Sequence, residues 1–148
     1  METLLAGKRI LIVEDESLVA ELVADIADDM SAERVGIAAT VSQALKSLAA
    51  EPWDLAVLDY NLQGTPSWPV AEALRARGIP YLMVSGYGHE LVTDPNTPLL
   101  AKPYSVAEFV AAIRRICTAA PASDEVTAVT AGSALGSTGA PPMTPRLR

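Results

Sequence analysis

The 148-residue chain contains one cysteine, Cys117, one phenylalanine and one histidine. A lone cysteine excludes a disulfide within the chain. The missing disulfide framework favours a reducing compartment, so a cytoplasmic location is expected. Aromatic residues make up only 5%, so a core has to be built mostly from Ala, Val, Leu and Ile. Eleven Lys and Arg stand against 18 Asp and Glu, a formal net charge of −7. That balance speaks against sequence-independent nucleic-acid binding, which needs a basic face, and against docking on anionic lipid. No apolar run approaches the roughly 20 residues of a membrane span, and the first residues lack the long apolar stretch of a secretory signal. Neither nucleic acid nor membrane is expected as a partner.

What the chain does have is apolar content, 50% of its residues. That is enough for one domain with chain to spare. Short apolar runs alternate with helical patterns. Residues 8–13, 34–39, 54–59, 80–85 and 98–101 read as strands. The helices between them carry apolar residues at helical spacing. The first uses Leu18, Val19, Leu22, Val23, Ile26 and Met30 after a Ser17 cap, with Glu21, Asp25, Asp28 and Asp29 on its other face. The second follows Thr40, whose partner Gln43 makes a capping box, and uses Val41, Ala44, Leu45 and Leu48. The third runs 68–77 after Ser67, and Gly78 ends it. A short helix around 89–93 is the most that Gly86, Gly88, Pro95 and Asn96 leave room for. The last helix runs from Val106 to about Thr118 behind a Ser105–Glu108 box, with Val106, Phe109, Val110, Ile113, Ile116 and Cys117 on one stripe.

Five strand–helix alternations imply an α/β fold, a five-stranded parallel sheet doubly wound by helices. Residues 1–7 read as an N-terminal extension and 8–118 as the domain. Residues 119–148, rich in Ala, Ser, Thr, Pro and Gly, read as a disordered tail.

In such a sheet the carboxyl ends of the strands share one edge, where ligands bind. Those ends carry Glu14-Asp15, Asp59, Ser85 and Lys102. Asp59 alone is equally well read as a solvated turn residue. The set is more telling. Three carboxylates in one pocket repel one another, so a cation has to offset them. A hard divalent ion such as Mg²⁺ takes such oxygen ligands together with phosphate and water. Lys102 adds a fixed positive charge, and a Ser85 hydroxyl can donate to a phosphoryl oxygen. Such a site suits a phosphoryl group carried on a carboxylate.

Ile12-Val13-Glu14-Asp15-Glu16, Leu58-Asp59-Tyr60-Asn61, Val84-Ser85-Gly86 and Lys102-Pro103-Tyr104 together closely resemble the receiver domain of two-component response regulators, the flavodoxin-like fold of the chemotaxis regulators. The resemblance covers residues 8–118. It implies Asp59 as phosphoacceptor, Asp15 as direct Mg²⁺ ligand and Glu14 as a ligand either directly or through water. It also implies the Asn61 backbone carbonyl as a further ligand, Ser85 as switch hydroxyl, Lys102 as partner of the phosphoryl group, and a cis bond before Pro103. Within that family the stretches 61–64, 67–71 and 77–88 resemble the alphaproteobacterial FAT GUY subgroup, although Met83-Val84-Ser85-Gly86-Tyr87 stands where Phe-Ala-Thr-Gly-Tyr is usual. Its members are typically linked to sensor histidine kinases of the HWE type or related ones.

Two departures bear on switching: Leu99 stands where many receivers have Tyr or Phe, and Gln63 replaces a common proline. The resemblance implies a single-domain regulator, not an enzyme in the ordinary sense. It would be phosphorylated by a kinase or phosphotransferase and either contact an unknown downstream protein or drain phosphoryl groups. Two rivals remain open: a degenerate receiver that binds partners without phosphorylation, and a small Mg²⁺-dependent phosphohydrolase. Against the second, Asn61 stands where such a phosphatase wants another acid.

Overall fold

The computed structural model describes residues 3–86 and 97–131, with side chains as far as residue 118. Five parallel strands form the main sheet: β1 (Arg9–Val13), β2 (Arg34–Ala38), β3 (Leu55–Asp59), β6 (Tyr81–Ser85) and β7 (Leu99–Ala101), in the order β2-β1-β3-β6-β7. The helices are α1 (Ser17–Asp29), α2 (Val41–Ala50), α3 (Trp68–Ala76) and α4 (Val106–Ala131). The doubly wound α/β fold expected from the alternation is what forms. The short helix expected around residues 89–93 lies outside the described residues.

Chain order explains the layers. From β1 the chain moves one way to β2, then back past β1 to β3. Right-handed crossovers therefore send α1 to one face and α2 to the other. Leu11, Val13, Ala56, Leu58 and Met83 alternate along the strands toward α2 and α3, where Ala44, Leu48, Val70, Ala71 and Leu74 close over them. The intervening residues Ile10, Ile12, Val57 and Leu82 face the other way and are as deeply buried, as are Ala20, Val23 and Ala27 of α1 and Phe109 and Ile113 of α4. β3 is buried at all five positions, as a central parallel strand should be.

Caps form where the sequence placed two of them. The Thr40 side chain accepts from the Gln43 amide at 3.1 Å, while Gln43 Oε1 accepts from the Ala39 amide. Ser105 and Glu108 bond reciprocally at 2.8 and 3.0 Å. Two others differ. Glu16, not Ser17, occupies the N-cap of α1, and Ser67 sits at the N-cap of α3 without a side-chain bond.

The stripe expected on α1 is also displaced. Val23 and Met30 are buried as expected, but Leu18 and Leu22 are 75% and 63% exposed, and Ala20 and Ala27 face the core in their place. Small side chains at 20 and 27 let the helix lie close to the sheet. A residue two positions earlier points to the far side, since each step turns about 100°. Leu45 and Val106, expected inside, are exposed as well.

The N-terminal segment is part of the domain and not an extension of it. Leu5 is fully buried, its amide donates to Met30 O at 2.9 Å, and Ala6 bridges Ala32. Residues 61–66 form a hairpin of β4 (Asn61–Leu62) and β5 (Thr65–Pro66). At the amino edge of the sheet the Arg9 and Arg34 guanidiniums lie 5.5 and 5.6 Å from the Trp53 ring, and both pair with Glu51.

The compact unit Met1–Ile116 holds the sheet. In the second unit, Cys117–Arg148, helical backbone continues to Ala131, thirteen residues past the end expected from the sequence. Alanines at 119, 120, 122 and 128 carry strong helix propensity there. Among the described residues no helix is long and apolar enough to cross a membrane.

Candidate phosphoacceptor site

The strand register assembles the site. Val13 pairs with Leu58, so Glu14 and Asp15 emerge beside Asp59 at the end of β3. Asp59 pairs with Val84, and Ser85 pairs with Ala101, which places Ser85 and Lys102 on the same edge. The Lys102 amide donates to Ser85 O at 2.9 Å and closes the last rung. The Lys102–Pro103 bond is cis, as the resemblance implied. All the expected residues, Glu14, Asp15, Asp59, Asn61, Ser85 and Lys102, line one open cleft of about 520 Å³.

Single carboxylate oxygens of Glu14, Asp15 and Asp59 lie within 4.8 Å of one another, an arrangement compatible with a metal site. Glu14 and Asp59 are 6% and 7% exposed, whereas Asp15 is half-buried. Lys102 Nζ stands 3.3 Å from Asp59 Oδ2 and 3.8 Å from Glu14 Oε1. One ammonium facing buried carboxylates leaves the cluster short of positive charge. The Glu16 amide donates to Glu14 Oε2 at 3.1 Å, and the Asn61 amide to Asp59 Oδ1 at 3.4 Å.

The titration of the groups reflects this crowding. Burial pushes Glu14 up to about 7; the Glu16 amide opposes the shift and the neighbouring Asp59 adds to it. Burial likewise raises Asp59 above the usual carboxylate range, with Lys102 and the Asn61 amide opposing. Burial alone would lower Lys102, but Asp59 and Glu14 hold it above its ordinary value. A divalent cation would supply the missing charge and favour both carboxylates in ionised form. Hard oxygen donors in an open, water-accessible cleft suit Mg²⁺ rather than a softer metal.

Some features were not anticipated. The Glu16 amide orients Glu14, and no side-chain pattern signals a backbone donor. The Gln63-Gly64 pair makes a two-residue hairpin turn at the rim of the cleft; glycine in the second turn position was its only signal. Tyr104 is half-buried and stacks on Phe109 at 5.8 Å.

Three acids, a lysine and a hydroxyl thus meet at the carboxyl edge of a parallel α/β sheet. The chain matches the response regulator receiver domain family over residues 10–114, and it belongs to that family. Among solved structures it resembles SdrG from Sphingomonas melonis at 38% identity, over 72% of this chain and 95% of that one, with a TM-score of 0.62. It resembles the response regulator PhyR from Brucella abortus at 26% identity and a TM-score of 0.73, over 83% of this chain but only 53% of that longer protein. A further structure of the same fold, at 24% identity and a TM-score of 0.63, is the receiver domain of sensor histidine kinase PA1611 from Pseudomonas aeruginosa, which holds a magnesium ion in its active-site cleft; the match covers 76% of this chain and 98% of that one. No curated protein matches the chain.

Proposed function

We propose that this chain is a phosphorylated response regulator in which Asp59 accepts a phosphoryl group from the histidine of a sensor kinase or phosphotransferase. The observation that carries the reading is the convergence of Asp59, Asp15 and Glu14 with Lys102 Nζ, 3.3 Å from Asp59. Mg²⁺ would be held by Asp15, Asp59 and the Asn61 backbone carbonyl, with Glu14 binding directly or through water. It would neutralise charge on the transferring oxygens.

The chain's own groups account for the rest. An Asp59 oxygen forms the bond to phosphorus as the bond from phosphorus to the donor imidazole nitrogen breaks, and the imidazole leaves with that electron pair. Lys102 turns from Asp59 Oδ2 to the incoming phosphoryl oxygens, and the Ser85 hydroxyl donates to another. The Asn61 amide steadies the Asp59 oxygen it already contacts. Each contact replaces water that would otherwise have to reorganise during transfer.

The partner is a histidine kinase of the HWE type or a related one, a reading that rests on the FAT GUY-like stretches. The exposed Leu18 and Leu22 of α1, the helix that follows the acidic pair, supply apolar surface on which a donor could seat. Output is by contact with a downstream protein or by draining phosphoryl groups, in the cytoplasm. Residues 119–148 lie outside the signalling domain by composition.

The test is intact mass after incubation with a small acyl phosphate. One phosphoryl adduct that needs Mg²⁺ and is absent from Asp59→Asn supports the reading. Repeated turnover of the donor without a bound adduct would instead favour a phosphohydrolase. Identical partner binding by wild type and Asp59→Asn would favour a phosphorylation-independent module.

A further inference from the structure

We propose that the β4–β5 hairpin is a positioning device for the cleft, and that the Asn61 side chain is the group that locks it. The inference rests on the metal reading above, and it concerns how this chain presents the Asn61 carbonyl.

Hydrogen-bond alternation in an antiparallel pair carries the argument. The Ser67 amide donates to Tyr60 O at 2.9 Å, so the Tyr60 carbonyl faces the hairpin partner, while the Tyr60 amide still bonds to Val84 O of the main sheet at 2.8 Å. Asn61 is the next residue and lies opposite Pro66, which has no N–H to give. Along a strand the N–H and C=O of one residue point to the same side, and the side alternates at each residue. Both polar groups of Asn61 therefore point out of the hairpin. Its amide reaches Asp59 Oδ1 at 3.4 Å, which identifies that side as the cleft. The register thus aims the Asn61 carbonyl at the carboxylates and leaves it uncommitted to the hairpin ladder.

The turn that sets this register needs a clasp. Gln63 has φ 55° and Gly64 φ 86°, both left-handed, the geometry of the tight two-residue turn that matches strand twist. Glycine adopts it freely; Gln63 does so at a cost. Asn61 Oδ1 accepts from the Gly64 amide at 2.6 Å and ties the strand to the far side of its own turn. Leu62, buried between them, anchors the same turn to the core. A cation that demands near-octahedral geometry gains from a carbonyl already in place, since ordering it during binding would cost affinity. The Asn61 side chain acts through the carbonyl of its own residue and is a positioning group.

The test is Mg²⁺ titration by calorimetry on wild type, Asn61→Ala and Asn61→Asp, with thermal midpoints in metal-free buffer. Loss of one net hydrogen bond predicts Mg²⁺ binding weaker by roughly fivefold in Asn61→Ala. Asn61→Asp, which keeps an acceptor at the same place, should restore it, and the metal-free midpoints should stay close together. Equal Mg²⁺ affinity in wild type and Asn61→Ala overturns the inference alone. Weakening in both variants, in step with lower midpoints, overturns it by making the turn merely structural. No Mg²⁺ binding by wild type defeats the metal reading, and this inference with it.

Discussion

Neutralising Glu14 should stabilise the metal-free protein, and the gain should grow with pH. Glu14 is buried beside Asp59 and rises from an ordinary value of 4.5 to about 7. Between those two values the folded protein holds a proton that the unfolded chain has released. Stability therefore falls as pH climbs through that window, the reverse of what a salt-bridged acid does. At about 1.36 kcal/mol per unit, the full loss is about 3 kcal/mol, and about 2 kcal/mol of it falls between pH 5.5 and 8. Asp59 is raised by burial as well, so the pair shares the effect. Glu51, held below the usual range by bonding to Arg34, acts only in more acidic buffer. The assay is urea unfolding in chelator at the two pH values, on wild type and Glu14→Gln. Wild type should lose roughly 2 kcal/mol relative to the variant, and Mg²⁺ should recover stability at the higher pH by binding only the folded form. Parallel pH slopes, or a wild type that gains stability toward pH 8, would refute the reasoning.

Two further substitutions test the packing. A Cβ at Gly36 would stand 2.5 Å from the Trp53 ring, whose Nε1 donates to Ser47 O and which lies within 5.6 Å of two guanidiniums. The ring has little room to yield, so Gly36→Ala should cost about 1–3 kcal/mol in urea unfolding; a change under about 0.5 kcal/mol would mean that it shifts freely. Leu5→Ala should cost about 2–5 kcal/mol, as for a buried leucine. An N-terminal segment that merely lay on the surface would give almost nothing in the same assay.

The strands and the site were legible because both rest on short-range signals. An apolar run buried on both faces, as in β1, β3 and β6, reads the same in any context, and four of the five strands are followed by or end on a polar residue of the cleft. Parallel topology then forced Glu14, Asp15, Asp59, Ser85 and Lys102 to one edge, where the structure places them. The helix faces were less legible. Leu18 and Leu22 suit a core stripe by hydrophobicity, but α1 buries Ala20 and Ala27 because close approach to the sheet favours small side chains. Leu5 was missed because a single apolar residue has no periodicity. The hairpin was missed because Gln63 is an unusual occupant of a left-handed turn position, and only Gly64 marked it. Backbone donors such as the Glu16 and Asn61 amides leave no trace in residue types at all.

We propose that Asp59, and no other acid of the cleft, carries the phosphoryl group. The most direct measurement is borohydride reduction of the phosphorylated protein followed by peptide mapping, because reduction converts an acyl phosphate on aspartate to homoserine. Homoserine is expected at position 59 alone, and nowhere when Mg²⁺ is omitted during phosphorylation. Homoserine at Asp15, the reduced counterpart at Glu14, or no reduced residue in a protein that carries the adduct would contradict it.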